Sequence, residues 1–434
     1  MTYRKSAIVL LIVSAVFGLT QCNKDNPKHP HKPDDPGAVN DGKKIFRFDT
    51  FGDEDFWSGL LHIDKAIAGQ ANGGFGPGVS PKAALAAGLK VDADALPADL
   101  VAGIKSTSVD LDDPATTLAL LKLNAVVGVK GTFNDNGSLK AIGITCAVCH
   151  STVDNSFSQG IGKRLDGWPN RDLNVGGIIS LTDNAQPIAN LLHVDEPTLR
   201  TVLGEWGPGK FAAVLFMDGK ALRPDGKVAA NLIPAAFGLK NVALTTYTGW
   251  GDISYWNSFV GNLEMHGKGT FRDDRLNDPV KYPIAVENSF WNVSNTPDLI
   301  TSKLPALRAY QHSIAAPSPP SNDYDHAAAN RGEKLFYSKA KCFTCHTPEL
   351  YRVPEYQLRS AKEIGIDDFE AKRSPTGKYR TTPLAGLFTR AKGGFYHDGR
   401  YATLLDVVNH YNSYLQLKLT DSEKGDLVQY LKSL

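Results

Sequence analysis

Methionine, cysteine, unbalanced charge and long apolar runs are what this 434-residue chain has least of. Its three methionines are Met1, Met217 and Met265, so a metal bound within the C-terminal third cannot take a thioether ligand from that third. The 47 basic and 46 acidic residues leave a formal net charge of +1. That balance gives no sign of the overall basic excess expected of a nucleic-acid binder, nor of a strongly charged partner. The longest apolar run near the N-terminus, Ala7 to Leu19, falls short of the roughly 20 residues a membrane-spanning helix needs. Of the five cysteines, four fall in two close pairs and only Cys22 stands apart. No spare pair is left for a structural disulfide.

The two close pairs are the most informative residues present. They read Cys146-Ala147-Val148-Cys149-His150 and Cys342-Phe343-Thr344-Cys345-His346. Cys-x-x-Cys-His is the attachment pattern of c-type haem. The two thiols add across the vinyl groups, and the adjoining histidine ligates the iron from the proximal side. The competing reading, a zinc knuckle, wants four ligands close together in space. The pentads therefore predict two covalent haems c, attached through Cys146, Cys149, Cys342 and Cys345, with His150 and His346 as proximal ligands.

Haem c is matured outside the cytoplasm, and the N-terminus agrees with that. Arg4 and Lys5 precede the Ala7–Leu19 run, as in a signal peptide. The segment Leu19-Thr20-Gln21-Cys22 resembles a lipoprotein box, although Gln21 departs from the usual small residue. The expectation is a signal peptide over 1–21, a periplasmic protein, and a lipid anchor at Cys22 as its only membrane attachment. Residues 22–44 are rich in Pro, Lys, Asp and His and read as a disordered tether. His29 and His31 are solvated residues within it.

The remainder predicts a mainly α protein with two cytochrome c-like haem domains, long irregular connections and a few short strands. An N-terminal domain with a connecting region is expected over 45–314 and a C-terminal cytochrome domain over 324–434, separated by the Pro- and Ser-rich Ala315–Ser321 linker. Asp325–Ser338 has helical spacing with Ala328, Leu335 and Phe336 on one face, and Asp421–Leu434 has it with Leu427, Tyr430 and Leu431. Asp113-Pro114 starts another helix, followed by alternation to Ile144 around an Asp135-Asn136-Gly137 turn. Arg164 and Arg171 lie soon after the first pentad and suit haem propionates.

Beyond the pentads, Thr382-Pro383-Leu384, Gly394-Phe395-Tyr396-His397-Asp398-Gly399-Arg400 and the segment Ala402 to Tyr411 resemble the bacterial di-haem cytochrome c peroxidase and MauG-type superfamily. The likeness is specific in the C-terminal third and limited to the pentad in the first domain. It implies that the position fourteen residues after His397 ligates the second iron. Tyr411 stands there, as in MauG-type members, where the peroxidases have methionine. His410 is its rival. A phenolate would favour ferric and higher states. His397 is implied to lie near that haem.

The resemblance also implies a reactive first haem, open to peroxide or oxygen, and an accessory electron-transfer haem at His346. No histidine follows His150 until His193. Met217, Met265, His266 and His193 are the residues that can still close the first iron. An acid–base group beside it would be Glu196, Glu205 or Glu264. Trp250 and Trp256 are candidates for carrying oxidising equivalents between haems. Calcium is doubtful, because Thr389–Gly394 lacks the family's proline. The implied donor is a small redox protein or a quinol-linked carrier. Two further readings stay open: a non-catalytic electron carrier, and an oxygenase of the rubber-cleaving type.

Overall fold

The computed structural model describes residues 35–434. The signal peptide, Cys22, His29, His31 and most of the expected tether lie outside them. The last part of that tether is a correction. Residues 36–44 open the helix Pro36–Phe48, capped by the Asp35 carboxylate accepting from Gly37 N at 2.9 Å. An Asp-Pro start favours a helix, and Ala38, Gly42 and Phe46 supply a buried stripe that the polar composition conceals.

The chain is mainly helical, with 44% helix against 10% strand, and its strands form isolated two-stranded pairs. One pair is the hairpin Val129–Phe133 with Leu139–Ile144, predicted from the alternation. The helix Pro114–Lys122, capped by Asp113, is shorter than the apolar run around it. No helix among the described residues is long and apolar enough to cross a membrane.

Two crossings frame the molecule. In the C-terminal part, His326–Phe336 crosses Asp421–Lys432 at Gly332, where an added Cβ would lie 2.0 Å from the Asp426 carbonyl oxygen. Phe336 then meets Tyr430 edge-on at 5.2 Å. The N-terminal part repeats the device. Pro36–Phe48 crosses Leu304–Ser313 at Gly42, 1.9 Å by the same measure from the Ala306 oxygen, and Phe46 meets Tyr310 edge-on at 5.5 Å. The two segments read Gly42-Lys-Lys-Ile-Phe46 and Gly332-Glu-Lys-Leu-Phe336. Each pair of helices can approach this closely because neither glycine carries a side chain.

The C-terminal core, around Phe336, Val408, Leu427 and Leu431, draws only on residues beyond the linker. The larger core gathers Trp57, Leu121, Leu203, Trp256 and their neighbours. Hydrogen bonds and ion pairs join the two parts. Leu232 N donates to the His397 carbonyl at 2.7 Å, and buried Arg373 pairs with Asp218 at 2.7 Å.

Candidate cofactor sites

The hairpin strand ending at Ile144 delivers the first pentad to the wall of a cavity of about 310 Å³. The turn is held by buried Asn170, whose amide donates to the carbonyls of Gly88 at 3.0 Å and Val148 at 3.2 Å. Cys146, Cys149 and His150 all line the cavity. Burial pushes both thiols up to about 12 and His150 down to about 4. The imidazole is thus neutral at pH 7, the form that binds iron. Its Nδ1 lies 3.1 Å from the Pro234 carbonyl. A proton there fixes the tautomer and leaves Nε2 free as a ligand.

The helix Ile253–Phe259, continued by the π-helical turn Val260–Glu264, supplies a facing strip of Trp256, Val260 and Glu264. Glu264 is the unusual member. Both carboxylate oxygens are buried without a hydrogen-bond partner, and burial raises its pKa well above the ordinary range. It lies near enough to Cys149 for its charge to oppose a thiolate there. Met265 and His266 follow on the same wall. His266 sits at φ +61°, stacks on Phe56 at 3.6 Å, and has a buried Nε2 without a partner. Phe56 belongs to a second π-helical turn, Asp55–Leu60; such turns are rare and frequent at functional sites.

The second cavity, about 560 Å³, is lined by Cys342, Cys345 and His346. Burial holds His346 near 4 and lifts Cys342 to about 11. His346 Nδ1 is 3.3 Å from the Tyr351 hydroxyl. The helix Leu404–Tyr414 contributes Leu404, Val408 and Tyr411. Tyr411, rather than His410, reaches this cavity. His410 is turned about 100° around the helix, where its Nε2 donates to the Ile364 carbonyl at 2.8 Å. Tyr396 and His397 also line the space, and His397 Nε2 is buried without a hydrogen-bond partner, 3.9 Å from the Asp398 carboxylate.

Four arginines, Arg171, Arg359, Arg380 and Arg390, converge on the second cavity. Arg380 donates to the carbonyls of Thr246 and Leu244 at 2.5 and 2.9 Å. Arg390 donates to those of Pro383 and Ala385 at 2.9 and 3.0 Å. Among the described residues no carboxylate forms an ion pair with any of the four. Burial pushes Arg380 and Arg390 down to about 10. Unpaired buried cations are costly, so this wall suits a ligand that brings carboxylates, as haem does with its propionates. In size, apolar lining and attachment chemistry, both cavities fit haem c. Among the described residues, no cluster of three or more His, Cys, Asp or Glu is arranged to hold a metal ion, as a zinc knuckle or a carboxylate-built calcium site requires.

Several sequence expectations are corrected. Arg164 pairs with Asp92 at 3.1 Å and lines neither cavity, while Arg171 serves the second cavity rather than the first. Glu196 pairs with Arg200 on the surface at 2.7 Å, and Glu205 is exposed. His193 is bound to Glu287 at the surface, and Met217 lies in the core away from both cavities. Trp256 lines the first cavity, but Trp250 lies behind it at 5.2 Å and reaches neither. Neither Trp250 nor Trp256 lines both cavities, whereas Trp168, soon after the first pentad, meets Phe388 edge-on at 5.5 Å. Tyr247 and Arg380 line both of them. Neither had a sequence signal of its own, although Arg380 immediately precedes the Thr381-Thr382-Pro383-Leu384 stretch.

No family model matches the chain, and no curated protein matches it. Among solved structures, one match is hydrazine synthase of Kuenenia stuttgartiensis under xenon pressure. The identity is 19%, the match covers 49% of this chain and 75% of that one, and the TM-score is 0.28. A likeness at that level carries no argument about fold or activity.

Proposed function

We propose that the chain is a periplasmic di-haem c-type oxidoreductase of the peroxidase-like or MauG-like kind. Its reactive site is the cavity of His150, and its accessory site is the cavity of His346, with Tyr411 as the second iron's further ligand. The observation that carries this reading is the asymmetry of the cavities. Only the first encloses a buried carboxyl without a partner, Glu264. Peroxide or oxygen is the oxidant, and a small redox protein or quinol-linked carrier is the donor. Attachment to the membrane through Cys22 belongs to the same proposal.

A haem held by Cys146, Cys149 and His150 supplies an iron at which a peroxide O–O bond can be cleaved. The protein's own work is then proton handling and exclusion of water. Because burial raises the pKa of Glu264, its carboxyl holds its proton more firmly than an exposed glutamic acid does. It can give that proton to the departing peroxide oxygen. Ile142, Ile144, Leu173 and Phe216 keep bulk water from the site. His150 is fixed by Pro234, and the four arginines hold carboxylates in the other cavity.

EPR of the ferric protein, with carbon monoxide added to the reduced form, tests this reading. A high-spin, CO-binding haem that His150→Ala abolishes is the expected result. Two low-spin haems inert to CO in every redox state would overturn it. The unpartnered Nε2 of His266 favours a second reading, a six-coordinate electron carrier. In that case CO binding emerges only in His266→Ala.

A further inference from the structure

The second cavity is connected to the surface by a continuous set of aromatic rings. Tyr396 lines the cavity, and its ring lies 4.9 Å from that of Tyr401. Tyr401 lies 5.0 Å from the ring of His410. His410 stacks on Tyr414 at 5.9 Å and 10°. Tyr414 is 44% exposed, and its hydroxyl donates to the Lys362 carbonyl. We propose that Tyr396, Tyr401 and Tyr414, spaced around the ring of His410, form an electron path joining the second cavity to the surface.

The geometry is built rather than incidental. Phe395 N donates to the Tyr401 carbonyl at 2.8 Å, closing a loop that sets Tyr396 against Tyr401. Tyr396 adopts φ +70°, a strained conformation for a non-glycine residue. Its buried hydroxyl faces that of Tyr411, which places the inner end of the path beside the residue proposed to ligate the second iron. His410 and Tyr414 stand four residues apart on one helix, the spacing that stacks side chains. His410 is pinned by Ile364. Phenols are among the most easily oxidised side chains, and each ring here touches the next.

The inference rests on the proposed function, which supplies the oxidant. A peroxide takes up two electrons and two protons and becomes two waters, leaving two oxidising equivalents in the protein. One electron then passes from the Tyr414 phenol inward, by way of Tyr401 and Tyr396. The phenolic proton is released to solvent beside this half-exposed residue as its hydrogen bond to the Lys362 carbonyl breaks. The resulting neutral phenoxyl is refilled by one electron and one proton from an external one-electron donor. Tyr414 is thereby the point at which that donor delivers its electron.

The test uses the haem-loaded protein, one equivalent of hydrogen peroxide and a nitroso spin trap, with adducts located by peptide mass spectrometry. Wild type is expected to carry the adduct on Tyr414. Tyr401→Phe, which keeps the ring, is expected to lose most of it while peroxide still changes the haem spectrum. An undiminished Tyr414 adduct in Tyr401→Phe would overturn the path. So would an oxidised spectrum with no adduct on Tyr414 in wild type, and that outcome leaves the functional reading intact. Absence of any spectral change with peroxide removes the functional reading, and the path with it.

Discussion

A carboxyl group surrounded by apolar side chains keeps its proton far above its ordinary pKa, because ionising it there forfeits hydration. Glu264 is such a group, and its neighbours offer it no hydrogen bond. Glu264→Gln preserves shape and removes the transferable proton. Peroxide turnover is expected to fall by roughly 10²–10⁴-fold, with haem content and ferric spectrum unchanged in the same preparation. Asp53 is a second buried acid, raised to about 9 by desolvation, with one oxygen accepting from Ile144 N at 3.1 Å and the other unpartnered. Its folded pKa lies above the unfolded value of about 3.9, so folding favours the protonated form. Its stabilising contribution is complete below about pH 4 and is lost as pH rises toward 9, by at most ~1.4 kcal/mol per unit. Urea unfolding between about pH 5 and pH 9 checks the sign. The wild type should weaken with rising pH more steeply than Asp53→Asn. Residues of this kind differ in how far they can be read from sequence. The pentads are legible because all their chemistry lies within five consecutive positions. Glu264 stood among three candidate glutamates with nothing local to separate them, and Tyr247 and Arg380 owe their place to convergence from distant segments.

At the scale of elements, the two glycine crossings carry the strongest claim. Alanine at Gly42 or Gly332 would put a methyl group 1.9 or 2.0 Å from a backbone oxygen of the partner helix, and backbone cannot rotate away as a side chain can. Each substitution is expected to cost about 1–3 kcal/mol, the usual range for overpacking, read as a lower urea midpoint. Gly425 meets nothing within 4 Å, and alanine there should be neutral or slightly stabilising. The second crossing was legible because Gly332 and Phe336 stand just before a pentad. The first was hidden because the insertion spanning 49–145 separates Gly42 and Phe46 from Cys146, and because proline and charge around residue 36 look like a tether. Burial of Phe46 against Tyr310 outweighs that composition. The shared Gly-x-Lys-Ile/Leu-Phe string would have exposed the repeat.

At the scale of the whole molecule, each half encloses a cavity beside its Cys-x-x-Cys-His pentad. The C-terminal core cluster contains only eight buried apolar residues, and beside it four arginines face a cavity where, among the described residues, none of them forms an ion pair and Glu363 is the one carboxylate in the lining. A bound dianion would offset that charge, and an apolar ring would complete the core, so the C-terminal half is expected to depend on the proposed haem more than the N-terminal half does. The N-terminal half has a much larger apolar core of its own. Sequence reading could place the two Cys-x-x-Cys-His pentads on either side of the Ala315–Ser321 linker, since linkers and pentads are local. It could not assign Arg171, which belongs to the first half in sequence and to the second cavity in space. Replacing Cys342 and Cys345 by serine and His346 by alanine removes attachment and ligation in the second half alone. Thermal unfolding should then split into two transitions, the lower falling by about 10 °C or more, equivalent to ~2 kcal/mol for a domain of this size. Limited proteolysis should release a resistant fragment ending near the Ala315–Ser321 linker, with the optical spectrum of the first haem retained. A single unshifted transition would mean that the C-terminal core stands without its cofactor and that the four arginines are balanced in some other way.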